Sequence, residues 1–339
     1  SSQRLGQGTF DWATLVGIAG SIPQSTQIWL FLGFFVAFAI KAPLVPLHTW
    51  LPDAGAEAPI GVGVLLVGVM DKVAIYGFLR YCLPLFPEAS RALAPLVLVL
   101  AVAGILYAAL LAVGQSDMKR FVAYTSVAHF GFIGLGVFAF STQGMAGAVL
   151  YMVNHGISTG MLFIVVGMLI ARGGSRLIAD YGGVAVLAPV LAGMMLLAGL
   201  SSLALPGTNS FVSEFLVLIG SYPRQPVYTI LATTGMILAA LYVLWFYQRL
   251  MHGPVRGAAV LGALDGPGTA MAPEVAAQRQ RARFPDLSIR EVVVLAPLVA
   301  LILLLGLYPQ PVLDVINPSV GATLTEAGLT DPVVEQGGN

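Results

Sequence analysis

Eight stretches of this chain, residues 28–50, 60–84, 93–115, 121–141, 145–170, 188–223, 226–250 and 290–309, are apolar over the length a helix needs to cross a bilayer. At 1.5 Å of rise per residue that length is roughly 20 residues. The runs are too long, and too free of period-two alternation, to be barrel strands. An all-α polytopic membrane protein with about eight transmembrane helices is therefore the expected fold class. Composition agrees: 58% of the 339 residues are hydrophobic and 9% are charged, against about 25% charged in soluble domains.

Loops between the runs alternate between two sides. One side carries Lys119, Arg120, Arg172, Arg176, Arg256, Arg279, Arg281 and Arg283; the other carries Arg4, Arg91 and Arg224. The positive-inside rule makes the first side cytoplasmic and puts both chain ends outside. The expected organisation is a periplasmic-side lead-in (1–27), a membrane domain of seven helices (28–250), a cytoplasmic loop (251–289), a last crossing (290–310) and a periplasmic tail (311–339). Within the loop, Ala272 to Phe284 reads as a surface helix, and residues 318–339 are polar and acidic enough to form a loose tail. Trp29 and Trp50 flank the first span and Tyr308 closes the last, as interfacial anchors do. The chain opens Ser-Ser-Gln-Arg, and no leader pattern precedes residue 28, so it reads as a piece of a longer protein.

Two spans are irregular. The first contains Pro43 and Pro46, and the 188–223 run is too long for one straight crossing and contains Leu205-Pro206-Gly207-Thr208-Asn209. Both helices should break within the membrane. Freed backbone groups at that depth are tolerated only where protein or water surrounds them, so each break predicts a polar interior. The similar breaks, about 160 residues apart, hint at an internal repeat of the transporter kind.

Ionisable side chains at membrane depth supply the candidate chemistry, because each costs about 2.5 to 3.5 kcal/mol to insert. Lys41 follows Trp29 by twelve residues and precedes Trp50 by nine, so its α-carbon is roughly 13 to 18 Å from either interface. Lysine, unlike arginine, can give up its proton on burial. Lys72 sits mid-run with Asp71 beside it, and neighbouring helical residues point different ways. Asp71 is thus either a counter-charge or a residue nearer the periphery. Glu214 follows Pro206 by eight residues on the second broken helix, where a buried carboxyl group can exchange its proton. His48 is two turns from Lys41 at the foot of the first span; His129 has Thr125 and Ser126 nearby, and His155 lies between Asn154 and Ser158-Thr159. Such imidazoles can relay protons along hydroxyl neighbours. The competing reading makes all these groups fixed hydrogen bonds and ion pairs of an assembly scaffold.

Other chemistry is poorly represented. The lone Cys82 permits no internal disulfide or cysteine cluster, Gly61-Val62-Gly63 lacks the rest of a dinucleotide fingerprint, and the histidines lack metal-ligand spacing. No cofactor is expected in this chain. Gly131, Gly134 and Gly136 read as helix-packing positions.

Three motifs carry a family resemblance: Lys41-Ala-Pro-Leu-Val-Pro-Leu-His-Thr-Trp-Leu-Pro-Asp53 with Glu57-Ala-Pro59; Asp117-Met-Lys-Arg-Phe-Val-Ala-Tyr-Thr-Ser-Val-Ala-His129; and Tyr151-Met-Val-Asn-His155. From about residue 10 to 310 the chain resembles the antiporter-like membrane subunits of respiratory complex I, the NADH-quinone oxidoreductase. The resemblance implies a fourteen-helix fold of two inverted five-helix repeats, of which this chain matches helices seven to fourteen. It implies that Lys41 and Lys72 are the lysines of helices seven and eight, that His129 and His155 are relay positions, and that Glu214 is the terminal proton site. Glutamate there favours the M type over the L and N types, which usually carry lysine. The implied activity is proton translocation, coupled to quinone reduction elsewhere. NADH, FMN, iron–sulfur clusters and quinone would then be held by partner subunits, and antiporter-like subunits L and N would be membrane neighbours in a bacterial plasma membrane. Subunits of multi-subunit Na⁺/H⁺ antiporters and of membrane-bound hydrogenases fall within the same resemblance. Two departures stand out: Gly55 replaces a common histidine, and Asp71 stands where the family is commonly apolar. The acidic partner expected for Lys41 would belong to helix five, outside this sequence.

Overall fold

The computed structural model describes residues 8–261 and 284–331, and its long elements are all helical. They are α1 (Trp12–Ala19), α2 (Gln24–Lys41), α3 (Trp50–Glu57), α4 (Ile60–Leu85), α5 (Pro87–Val113), α6 (Met118–Val137), α7 (Thr142–Gly173), α8 (Pro189–Ser202), α9 (Asn209–Ser221), α10 (Pro226–Met251), α11 (Ile289–Leu307) and α12 (Gln310–Glu326). Among the described residues, six helices are long and apolar enough to cross a membrane: α2, α4, α5, α7, α10 and α11. The shorter apolar helices α8 and α9 follow one another, and α6 lies at the centre of the bundle. Almost all of α6 is buried, against α5 on one side and α7 on the other.

Helix starts follow local chemistry. Asp117 accepts from the Lys119 and Arg120 amides, Ser141 from Gly144, and Ser288 forms a capping box with Glu291. Proline opens α5, α8 and α10, where its missing N–H costs nothing. Glycine sets the closest approaches: a Cβ at Gly131 would lie 2.5 Å from the Ala101 carbonyl, so α6 packs on α5 through it.

Both expected breaks are present. The first helix stops at Lys41 and resumes at Trp50, and the second stops at Ser202 and resumes at Asn209. In the second, Ala204 and Gly207 adopt positive φ (60° and 94°), which reverses the local twist. The Trp50 indole N–H donates to the Ile40 carbonyl at 2.7 Å, closing the first break, and the helix that follows runs on to Glu57.

Two further differences from the sequence reading arise from packing. The lead-in contains α1, capped by Asp11. Residues 310–326 form α12 rather than loose chain, because Ile316, Val320 and Leu324 recur at four-residue spacing and bury against α7. Beyond it Asp331 accepts from the backbone amide and hydroxyl of Thr142 at the start of α7, both at 2.7 Å. The surface helix expected at 272–284 lies outside the described residues except for Phe284, which is buried.

The described members of the two basic sets lie at opposite ends of the bundle. Arg91 and Arg224 both donate to carbonyls of the 328–330 segment. At the other end Arg172 forms a two-pronged bridge to Glu291, and Asp286 caps α8 by accepting from the Val190 and Leu191 amides. Between the ends, buried apolar residues fall into two clusters. One includes Leu44, Ala74, Phe130, Leu150 and Val217; the other includes Leu51, Val67, Ala128, Met161 and Ala198. Along several of the helical paths the changeover from one cluster to the other falls at polar or ionisable residues: His48 between Leu44 and Leu51, Asp71 and Lys72 between Val67 and Ala74, His129 between Ala128 and Phe130. Asn154 to Thr159 lie between Leu150 and Met161, and Ser201 to Glu214 between Ala198 and Val217. The fold thus sandwiches one polar layer between two apolar cores.

Candidate functional site

Within that layer, α7 lays Tyr151, His155, Ser158 and Thr159 along one buried face, at offsets of four, seven and eight residues. Lys72 of α4 reaches this face. Its Nζ lies 2.7 Å from Nδ1 of His155, donates to the Val67 carbonyl, and sits 5.2 Å from the centre of the Phe130 ring. With the ammonium donating, Nδ1 accepts and His155 carries its ring proton on Nε2. Two features of the chain make the approach possible. Residues Leu66–Met70 form a π-helical turn in which the Asp71 amide bonds to the Leu66 carbonyl, five residues back. Gly68 and Gly156 face each other, and a Cβ on Gly156 would meet the Gly68 carbonyl at 2.7 Å. Wider π turns of this sort recur at functional sites.

The row continues through aromatic contacts. The rings of His155 and His129 are 5.2 Å apart, edge to face, and His129 is 5.8 Å from the Tyr151 ring. The Tyr151 hydroxyl donates to Oε2 of Glu214 at 2.8 Å. Lys72, His155, His129, Tyr151 and Glu214 therefore form one succession across α4, α7, α6 and α9. Sequence reasoning quoted Tyr151 inside a motif and gave it no role. The available signal was its position one helical turn before His155.

Polar side chains also fill the second break. Asn209 accepts from Ser201 at 2.7 Å and Ser158 at 3.0 Å, and its amide donates to the Asn154 carbonyl. Asn154 returns a bond to the Asn209 carbonyl at 2.7 Å and reaches Ser213 at 3.2 Å. This reciprocal pair ties the start of α9 to the middle of α7 and gives both buried side-chain amide nitrogens an acceptor.

Lys41 and His48 are arranged differently from the expectation. Because α2 stops at Lys41, the two residues share no helix face. Lys41 is half-buried, with Nζ 5.9 Å from the Trp50 ring centre. His48 lies in the non-helical connector, at the middle level of the bundle rather than near an end. It is buried and edge-on to Tyr107, with 5.4 Å between ring centres. The structure does not bring it into the Lys72–Glu214 row. Asp71 is fully buried and so is not peripheral. Among the described residues, no salt bridge involves Lys41, Lys72, Asp71 or Glu214.

One end of the layer's scaffold is fixed by charge. Lys119, the third lysine, is buried and donates to the carbonyls of Ala56 and Ala58 at 2.5 and 2.6 Å, capping the C-terminus of α3. Arg176 bridges Glu57 and Asp117, which hold its guanidinium above even the ordinary arginine pKa. Arg120 pairs with Asp53. Gly55, in place of a common family histidine, packs on α6; a Cβ there would lie 3.2 Å from that of Ala123.

The structure is a helical bundle with two broken helices and one layer of buried bases and a buried acid, and comparison with known proteins gives its family. Residues 6–241 match the family model described as NADH:quinone oxidoreductase/Mrp antiporter, transmembrane, and the chain belongs to that family. It is 48% identical over 330 residues to NADH-quinone oxidoreductase subunit M of Mycobacterium tuberculosis, covering 96% of this chain and 56% of that protein. Among solved structures, it superposes on a chain of respiratory complex I from Thermus thermophilus with a TM-score of 0.80 and 32% identity, covering 96% of this chain and 64% of the other. A chain of the Mrp complex from Dietzia sp. DQ12-45-1b shares the fold, with a TM-score of 0.76 at 23% identity over 95% of this chain and 65% of that one. The chain thus spans a little over half the length of its curated subunit M relative.

Proposed function

We propose that this chain is the larger part of a proton-translocating, M-type membrane subunit of a bacterial NADH:quinone oxidoreductase. In this reading Lys41 and Lys72 load protons, His155, His129 and Tyr151 relay them, and Glu214 is the terminal site. His48 is the remaining candidate, beside the first break. Partner subunits hold NADH, FMN, iron–sulfur clusters and quinone, L- and N-type subunits lie alongside in the plasma membrane, and the arginine-rich end faces the cytoplasm. Identity to subunit M relatives favours this reading over a Na⁺/H⁺ antiporter or a membrane-bound hydrogenase subunit.

One observation carries it: the succession from Lys72 to Glu214, hydrogen-bonded at both ends and in ring contact through His129, without a salt bridge among the described residues. A fixed scaffold would pair such charges permanently, because an unpaired buried charge is costly. Here the contacts are a lysine on a histidine and a tyrosine on a carboxyl group, both of which survive proton exchange. Buried Nε2 of His155, both nitrogens of His129, and the hydroxyls of Thr159 and Ser202 have no hydrogen-bond partner among the described residues. Groups of that kind are the ones internal water satisfies.

The mechanism is electrostatic. A charge change in a neighbouring subunit alters the proton affinity of Lys41, and each transfer alters the next. Unit charges about 10 Å apart at an effective dielectric of about 20 interact by roughly 1.7 kcal/mol, slightly more than one pH unit of proton affinity. Lys41→Ala and Glu214→Gln in the full-length subunit test the reading. An assembled complex with reduced proton transfer and reduced coupled quinone reduction is expected. Undiminished pumping by assembled variants would overturn it, and failure of Lys41→Ala to assemble would favour the scaffold.

A further inference from the structure

Asp71 is the one acidic side chain in this region that the pathway above does not use. It is 0% exposed, and neither carboxylate oxygen has a hydrogen-bond donor among the described residues. It lies where the π-helical turn Leu66–Met70 gives way to regular helix, level with Lys72 and between the two apolar clusters. It shares the buried face of α4 with Val67, Ala74 and Ile75, whereas Lys72 is only half-buried. The charges acting on it are Lys72 on its own helix and Lys41 at the end of α2; His155 of α7 faces Lys72 instead. A carboxylate without donors persists in such a place only if neighbouring cations offset its charge or if it takes up a proton.

We infer that Asp71 is a positioning residue for proton transfer: the built-in counter-charge of Lys41 and Lys72, which lets Lys72 hold a proton without an acidic partner from another helix. The inference rests on the proton-transfer reading of the row. When Lys72 passes its proton to His155, an Nζ–H bond breaks and an Nδ1–H bond forms. Asp71 stays ionised, its charge then balanced by Lys41. Lys72 needs no direct contact with Asp71 for this, since the interaction is through space. Its Nζ is free to turn toward His155, as it does.

The test uses the assembled, purified complex carrying the full-length subunit, with coupled NADH oxidation and proton pumping measured against pH. Asp71→Asn and Asp71→Leu remove the negative charge, so Lys72 should release its proton at lower pH. The alkaline limb of the activity profile is then expected to move toward acid by about one pH unit, and Asp71→Glu should restore it. Assembled Asn and Leu variants with an unmoved limb would overturn the assignment. If Asp71→Asn does not assemble, the double variant Asp71→Asn/Lys72→Gln decides the matter. Recovered assembly means the defect was an uncompensated cation, and continued failure makes Asp71 a packing group only. Glu214→Gln in the same preparation separates the two levels of the argument. Loss of pumping there beside an unmoved Asp71→Asn profile sinks only the Asp71 assignment. Full pumping in both sinks the reading beneath it.

Discussion

The two broken helices use one backbone device for opposite chemistry. In the second, the break is closed by its own side chains: Asn209, Asn154, Ser158 and Ser201 bond one another, and the acid Glu214 that follows is held by Tyr151. In the first, the closure is sparser. Trp50 returns to the Ile40 carbonyl, and the base Lys41 rests near that indole with no salt bridge among the described residues. The acid is held by a direct hydrogen bond, whereas the base has no direct ionic contact among the described residues. A terminal site benefits from a fixed partner. A loading site has to respond to charge in a neighbour, and a lysine balanced only through space does so.

The sharpest way to break this comparison is to remove the acid without disturbing its surroundings. Glu214→Gln keeps volume and still accepts from Tyr151, so the complex should assemble. Proton transfer at a positioned group contributes roughly 10² to 10⁴-fold, and pumping should fall by at least the lower figure if Glu214 is obligatory. Pumping followed in sealed vesicles gives the answer, and an unaltered rate would make the second break merely structural. Next in size is Asn209→Ala. It strips Ser201 and Ser158 of an acceptor and removes the side-chain tie to the Asn154 carbonyl, which keeps its helical donor. At about 1 to 3 kcal/mol for each stranded buried group, partly relieved by rearrangement, a loss of about 3 kcal/mol is expected. Thermal unfolding of the purified complex measures it, and a change under about 1 kcal/mol would show that the Asn/Ser pairing does not hold the break.

Much of this was legible before any coordinates. Apolar run length located the six helices long enough to cross a membrane, and proline located both breaks, because hydrocarbon and a missing N–H constrain a helix wherever it sits. The polar row was legible in part: His129, His155, Lys72 and Glu214 all lie in the layer, as their depth in the runs implied. Other residues answer to geometry that has no compositional mark. The π turn before Asp71 rotates that side chain fully inward, and only Gly68, whose partner Gly156 is far away in sequence, hints at it. His48 was placed by assuming two turns of helix, which the connector 42–49 lacks. Tyr151 read as one more aromatic in an apolar run, since its hydrogen bond depends on α9. Residues 310–326 averaged too polar for a buried element, although Ile316, Val320 and Leu324 suffice to dock one face.

Smaller effects probe the first break. Trp50→Phe keeps an aromatic ring for Lys41 and removes one hydrogen bond, so a cost near 1 kcal/mol is expected. If the closure is as sparse as it looks, that single bond should also matter for Lys41. Proton transfer should slow in Trp50→Phe by more than in any equally destabilised variant of α8 or α9. Equal slowing in both would mean that the two breaks are alike and that stability alone is being read.

The smallest effect is expected at Asp53→Asn, which tests whether the far end of α3 is held by charge pairing at the surface or by buried caps. The Asp53 and Arg120 side chains are 66% and 40% exposed, and exposed pairs contribute little after screening and side-chain ordering. The change should cost less than about 0.5 kcal/mol and vanish with added salt. Lys119→Met, by contrast, leaves the α3 carbonyls of Ala56 and Ala58 without their buried donor and should cost clearly more. Melting both variants at low and high salt separates the two cases. Should Asp53→Asn prove the more damaging, α3 would be a lever held from outside by a salt-sensitive latch, and the first break would differ from the second in its anchorage as well as in its charge.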